Sequence, residues 1–209
     1  DDVLSRIKAG SEPQGLADLR GEIVRTVGEI LDRLCERAGV TRGEIYEITF
    51  AGNTTMQHLL CGIDPAQLGC VPFVPAYGRG LNIPAADLGV EIHPRGRAVV
   101  FPVIGGFVGG DTVAGMVATR LLEGQGPELM VDIGTNGEIV LAAGDGLWAA
   151  STAAGPAFEG ARISCGMRAT AGAIEKVVFD ESGVHLGVIA QARPIGLCGS
   201  GLVDLTAEL

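Results

Sequence analysis

A chain of 209 residues with 47% hydrophobic side chains is large enough to close a core in one domain or two small lobes without disulfides or metals. Its 25 acidic and 15 basic residues give a formal net charge of -10, which argues against nucleic acid or an anionic membrane as a partner. No apolar run reaches the roughly 18 residues of a membrane span.

The predicted elements begin with Leu16, Leu19, Ile23, Val27, Ile30, Leu31 and Leu34, whose three- and four-residue steps make an amphipathic helix that Gly39 stops. Ile45 to Ala51 reads as a strand, and Gly52-Asn53-Thr54-Thr55 turns it into a helix ending near Leu60. Residues 62–97, rich in Pro and Gly, read as a long covering connection and not as part of the core. A second strand, Ala98 to Ile104, passes through Gly105–Gly110 into a helix that Asp111-Thr112 opens and that runs to about Leu122. Short strands follow at Leu129–Ile133, Glu138–Ala142, Leu147–Ser151, Gly172–Phe179 and Val184–Ala190, with hairpin residues at Gly144-Asp145-Gly146 and Glu181-Ser182-Gly183. The Gly-rich turn Gly196–Gly201 leads into a last helix that reads as cut off at Leu209. With no Met at Asp1, the expectation is a fragment truncated at both ends. The pattern as a whole is mixed α/β.

Five cysteines, Cys35, Cys61, Cys70, Cys165 and Cys198, show no C-x-x-C spacing. They read as small buried hydrophobes of a reducing, cytoplasmic compartment, so a redox centre would lie outside this chain. His58, His93 and His185 share no ligand spacing and are assigned no chemistry.

The segment Asp132-Ile133-Gly134-Thr135-Asn136-Gly137-Glu138 carries the most chemistry. Gly134 and Gly137 let the backbone turn tightly and approach a ligand, while the Thr135 hydroxyl and Asn136 amide can donate to phosphate oxygens. Asp132 can hold Mg²⁺ through water, and Glu138 can orient or deprotonate an attacking water. An ordinary hairpin with a polar turn would be spelled the same way. Gly196–Gly201 is either a nucleotide-facing helix start or a closely packed one. Asp111 is likewise either a helix N-terminal carboxylate or a second metal-facing acid. Ser151–Gly160 is dense in small residues and suits a backbone pressed against a ligand or a facing lobe, with Thr152 and Gly155 as its nucleotide-facing candidates.

Together, Gly52-Asn53-Thr54-Thr55-Met56, Asp132–Glu138, Ser151–Gly160, Ile163–Arg168 and Gly199-Ser200-Gly201 closely resemble the ATP-binding domain of the reductive activators of corrinoid proteins. That family is a branch of the acetate and sugar kinase, heat-shock chaperone and actin superfamily, and the resemblance runs from Asp2 to the last residue. It implies a ribonuclease-H-like fold of two lobes, residues 1–126 and 127–209, with ATP and Mg²⁺ in the cleft. Asp132, Gly134 and Thr135 would be the second phosphate motif, and Gly199, Ser200 and Gly201 the adenosine motif. It further implies that ATP hydrolysis drives an uphill electron transfer, from an iron–sulfur cluster elsewhere in the polypeptide to Co(II) on a partner corrinoid protein. The family's first phosphate hairpin and its cluster domain are absent from this chain, so the expectation is that the fragment binds ATP weakly or not at all and carries no iron. Alternatives on the same fold are a small-molecule kinase, or a non-hydrolysing nucleotide sensor or scaffold that dimerises through its Gly-rich surface.

Overall fold

The computed structural model describes residues 3–124, 126–134, 136–153, 155, 160 and 163–209. The fold is α/β with mixed sheets, in two compact units: Asp1–Glu128 with Ala142–Leu147, and Leu129–Leu141 with Trp148–Leu209.

The first unit opens with α1 (Val3–Gly10) and α2 (Pro13–Ala38). Pro13 starts α2 at the position where a missing N–H costs nothing, and Gly39 ends it in the left-handed region at φ 68°, its amide bonded to Cys35 O. Ile23, Val27 and Leu31 of α2 pack onto a sheet of β1 (Glu47–Phe50), β2 (Leu81–Pro84) and β3 (Arg97–Val100), ordered β1-β3-β2. β3 runs parallel to β1 and antiparallel to β2. α3 (Thr54–Cys61) links β1 to the rest of this unit, with the Asn53 side chain capping it by accepting from Met56 N at 2.9 Å. α4 (Gly110–Thr119) follows β3 and stops short of the expected Leu122, because Arg120 turns left-handed at φ 56°.

Residues 62–97 are more than a covering connection. They supply β2 at the sheet edge and Ala85, Leu88 and Val90 to the buried core, beside Leu31, Leu60, Ala98 and Val100. Four residues of alternation are too few to register as a strand, and Pro84 is tolerated because β2 is an edge.

The second unit holds most of a meander, β4 (Glu128–Ile133), β5 (Asn136–Ala143) and β6 (Gly146–Ala153), in the order β4-β5-β6. It also holds a sheet ordered β8-β7-β9, from β7 (Ala173–Asp180), β8 (Gly183–Val188) and β9 (Gly196–Leu197). β8 ends before the predicted Ala190 because Ala190 and Gln191 take positive φ. Ile163–Arg168 supports this sheet: Leu197 donates to Cys165 O and Met167 to Leu197 O, both at 2.8 Å. α5 (Gly199–Glu208) packs on β7, and its Asp204 and Glu208 accept from Val177 N at 3.3 Å and Phe179 N at 3.1 Å. Those carboxylates satisfy amides on a strand edge that the two-residue β9 is too short to reach.

The cysteines divide. Cys35 and Cys198 are buried as expected, but Cys61 is half-buried, and Cys70 and Cys165 are exposed. Both exposed ones lie on turns or irregular segments, where no core is available to take a thiol. No helix among the described residues is long and apolar enough to cross a membrane.

Candidate functional site

The phosphate candidate is built on the β4–β5 turn. Asp132 is the penultimate residue of β4 and is exposed, as is Asn136 at the start of β5. β5 begins two residues earlier than expected, which makes Asn136 and Gly137 strand residues and compresses the turn around Gly134, whose amide donates to Asn136 O at 3.1 Å. A Cβ on Gly134 would come within 3.3 Å of Asn136 O, so glycine at this position suits the tight turn. Gly137 is buried instead, and a Cβ there would come within 3.2 Å of Thr152 Cγ2 on β6. Its bare Cα lets the neighbouring strand pass. Thr135 lies outside the described residues, as do 154 and 156–159 of the Ser151–Gly160 run.

Glu138 is half-buried and accepts a hydrogen bond from Ser151 Oγ on β6 at 3.1 Å. This contact orients the carboxylate proposed to handle water. It was countable in advance, because Glu138 and Ser151 stand equally far from Gly144-Asp145 at the hairpin tip. The structure thus brings Gly134, Asn136, Gly137, Glu138, Ser151 and Thr152 into one piece of sheet. Gly155 follows with φ 80°.

The adenosine candidate opens α5. Ser200 Oγ lies 3.3 Å from Cys198 Sγ, and a Cβ on Gly201 would sit 2.0 Å from Ile174 O on β7. Gly201 therefore has a packing reason to be glycine: it lets α5 lie directly on the strand. Gly199 is the first residue of α5.

Asp111, in the first unit, has a defined local task. Its Oδ1 accepts from Thr112 N at 2.8 Å at the start of α4. The neighbouring amides are satisfied as well, Gly110 N by Gln57 Oε1 and Asp111 N by Gly52 O, each at 3.2 Å. A hollow of about 450 Å³ between Leu121–Pro127 and Ala142–Leu147 is lined by none of the nucleotide candidates.

Two constellations need to be told apart from catalysis. In the β7–β8 turn, Asp180 Oδ1 accepts from Ser182 N at 2.7 Å and Ser182 Oγ at 2.6 Å, and both Asp180 and Ser182 face His185 Nε2. Hydrogen bonds from the Ser182 side chain and backbone hold the Asp180 carboxyl below the usual range. A nucleophilic triad needs the acid and the hydroxyl on opposite ring nitrogens, so this is a turn clasp. His58 is fully buried, with Nδ1 2.7 Å from Thr54 O, and its Nε2 accepts from Ala76 N at 3.0 Å. That pattern fixes the neutral tautomer carrying its proton on Nδ1, and Tyr77 stacks on the ring at 5.0 Å. Burial depresses the His58 pKa and raises that of Tyr77.

Comparison with known proteins decides the family. Residues 1–124 match the RACo middle region, and residues 126–209 match the C-terminal domain of RACo, the ASKHA domain. The chain belongs to the RACo family of reductive activators of corrinoid proteins. It is 41% identical over all 209 residues to the corrinoid activation enzyme RamQ of Eubacterium limosum, of which it covers 35%. Over 92 residues, 44% of this chain and 17% of the relative, it is 47% identical to the [Co(II) methylated amine-specific corrinoid protein] reductase of Methanosarcina barkeri. A solved reductive activator for corrinoid, iron–sulfur protein superposes with a TM-score of 0.84 at 42% identity, over 100% of this chain and 34% of that one. The chain thus spans about a third of the length of RamQ and of the solved activator. For a RACo chain, the five sequence motifs fall on both family segments, and the phosphate and adenosine candidates lie within the ASKHA segment.

Proposed function

We propose that this chain is the ATP-binding module of a reductive activator that returns a corrinoid protein from Co(II) to Co(I). The carrying observation is the β4–β5 turn inside the ASKHA segment, where exposed Asp132 and Asn136 adjoin a Glu138 oriented by Ser151. This donor set is made of oxygens and amides, which suits a triphosphate and Mg²⁺. Magnesium held mainly by phosphates and water does not need a protein cage, and among the described residues none of three or more His, Cys, Asp or Glu is present.

In this reading Asp132 holds Mg²⁺ through water. The Gly134, Thr135, Asn136 and Gly137 region grips phosphate oxygens, with Thr152 and Gly155 beside it. Gly199, Ser200 and Gly201 face the adenosine. Glu138 orients the attacking water and takes its proton. Hydrolysis of ATP supplies the free energy that makes reduction of the corrinoid feasible, the electron coming from an iron–sulfur cluster elsewhere in the full-length protein. The finer architecture we infer is ribonuclease-H-like, with lobes at residues 1–126 and 127–209, in a cytoplasmic protein. A homodimer is a further expectation, which sedimentation velocity checks.

Glu138→Gln in the full-length protein tests the assignment. Turnover of ATP should fall on the order of 100-fold, the usual scale for loss of a general base, with ATP affinity nearly unchanged. An unchanged turnover rate refutes the role of Glu138. Robust phosphorylation of a sugar or carboxylic acid by the wild-type protein would replace the activator reading with a kinase.

A further inference from the structure

We infer that residues 71–79 of the first unit form an acid-released strap, held closed on α3 by a hydrogen bond to buried, neutral His58 and freed when that ring takes a proton. The ring is fully buried, with Nδ1 2.7 Å from Thr54 O and Nε2 accepting from Ala76 N at 3.0 Å. Both nitrogens are thus committed, and closure depends on the lone pair of Nε2. An imidazolium carries a proton on each nitrogen, so its Nε2–H would face Ala76 N–H, donor against donor, at a buried position.

Little else fastens the segment. Among the described residues, Phe73 N reaches back to Cys70 O at 2.6 Å, and the bond to His58 is the one that ties the strap backbone to another element. Two ring contacts add to it, Tyr77 on His58 with centroids 5.0 Å apart and Phe73 edge-on to Phe107 at 4.9 Å. Val71 is 82% exposed and Val74 55%, so their side chains contribute little burial. The closed form also carries strain. Phe73 is held in the left-handed region at φ 60°, and the Tyr77 hydroxyl is buried beside the Cys61 thiol without a well-formed hydrogen bond. A segment with one anchoring bond, little buried apolar surface and local strain belongs to the low-stability end of a fold. Its opening would uncover His58 and Tyr77. It would also part the strap from the loop ahead of α4, where a Cβ on Gly106 would lie 2.2 Å from Phe73 O.

No charged neighbour among the described residues opposes or favours the proton directly. Tyr77 faces the ring from the strap, and Cys61, three residues on along α3, meets Tyr77. Arg20 of α2 acts on Cys61 and donates to Asp87 O at 2.7 Å, and Arg6 of α1 donates to Met56 Sδ at 3.0 Å. Burial is the larger influence on His58, ahead of the Thr54 carbonyl, and it holds the pKa below the ordinary 6.5. The proton therefore binds the open form better. Closure is favoured above pH 6.5 and weakens as pH falls below it. The strap lies in the first unit, apart from the phosphate and adenosine candidates, so the inference stands without the nucleotide reading.

The test is hydrogen exchange of the full-length protein, read by mass spectrometry and corrected for the intrinsic rate at each pH. An opening that exposes a ring of ordinary pKa 6.5 becomes about tenfold more favourable between about pH 7.5 and 5.5. Protection of the peptide spanning residues 71–79 should fall by that factor, while β3 stays more protected than the strap at both pH values. Unchanged strap protection overturns the inference. So does a strap that exchanges no faster than β3, since it would then open only with the whole unit. His58→Gln, which does not titrate, should flatten the response, and a tenfold fall that persists in it overturns the inference as well. The wild-type profile decides by itself where that variant does not fold.

Discussion

Two Gly-rich turns with an Asp look alike in the sequence, Gly109-Gly110-Asp111-Thr112 and Asp132–Glu138, yet the structure uses them differently. At the start of α4 the amides of Gly110, Asp111, Thr112 and Val113 all have acceptors within the protein, at Gln57, Gly52, Asp111 and Gly109. A Cβ on Gly110 would lie 2.5 Å from Gln57 Oε1, so its glycine serves the packing of α3 against α4. At the β4–β5 turn, Asp132 and Asn136 are exposed. A helix N-terminus already filled by protein acceptors has little left to offer an anion, whereas the exposed Asn136 amide at the β4–β5 turn can still donate to one. Spelling does not separate the two turns; the fate of the hydrogen bonds does.

The comparison breaks most easily at Gln57. Its buried amide donates to Phe101 O at 2.9 Å and accepts from Gly110 N, so Gln57→Leu strands two backbone groups. The expected loss of stability is about 2–4 kcal/mol, read by urea denaturation, with ATP affinity in the folded fraction unchanged. A loss of affinity without loss of stability would mean that the α4 start is itself a ligand site. Asn136→Ala is the converse. Removing an exposed donor to a charged ligand should weaken ATP binding about tenfold by calorimetry in the full-length protein, leaving the melting temperature unchanged.

His58 sharpens the contrast by pH. Its folded pKa lies below the unfolded value of 6.5, chiefly because burial penalises the charged ring. The unfolded chain therefore binds the proton more readily, and stability present above pH 6.5 is lost as pH falls through the folded pKa. Protonation would also remove the lone pair that accepts from Ala76 N. Thermal melts of wild type and His58→Gln between about pH 7.5 and 5 should show the wild type falling more steeply. Parallel slopes would show that His58 does not set the acid sensitivity.

Legibility followed the range of the interactions. Gly39 as a helix stop, the Asn53 start of α3 and the Gly144-Asp145 hairpin are set by neighbours in sequence, and each stood out. β2 did not, since Leu81–Pro84 is held as a strand by pairing with Arg97–Val100. The buried role of His58 was hidden for the same reason, its acceptor contact being 18 residues away. The Asp132–Glu138 motif was legible as a phosphate candidate, but the surroundings of its glycines were not: a Cβ on Gly134 would crowd Asn136 O at 3.3 Å, and one on Gly137 would crowd Thr152 Cγ2 at 3.2 Å. Gly201 is a similar case, its close approach to Ile174 O being a tertiary fact.

Ser151→Ala is the smallest change and the most specific to the site. It deletes one part-buried hydrogen bond to Glu138, at 3.1 Å, between strands that are otherwise unchanged. Such a bond contributes about 0.5–1.5 kcal/mol, so the melting temperature should shift by only a few degrees. If Glu138 positions water, loosening it should lower ATP turnover in the full-length protein by several-fold with little change in ATP affinity, and Ser151→Thr, which keeps the hydroxyl, should recover most of the rate. A structural role alone would show the thermal shift without the turnover loss. In the Glu138→Gln background, Ser151→Ala should have no further effect on turnover, because its influence passes through that carboxylate. An additive loss would place Ser151 in direct contact with the nucleotide or its water.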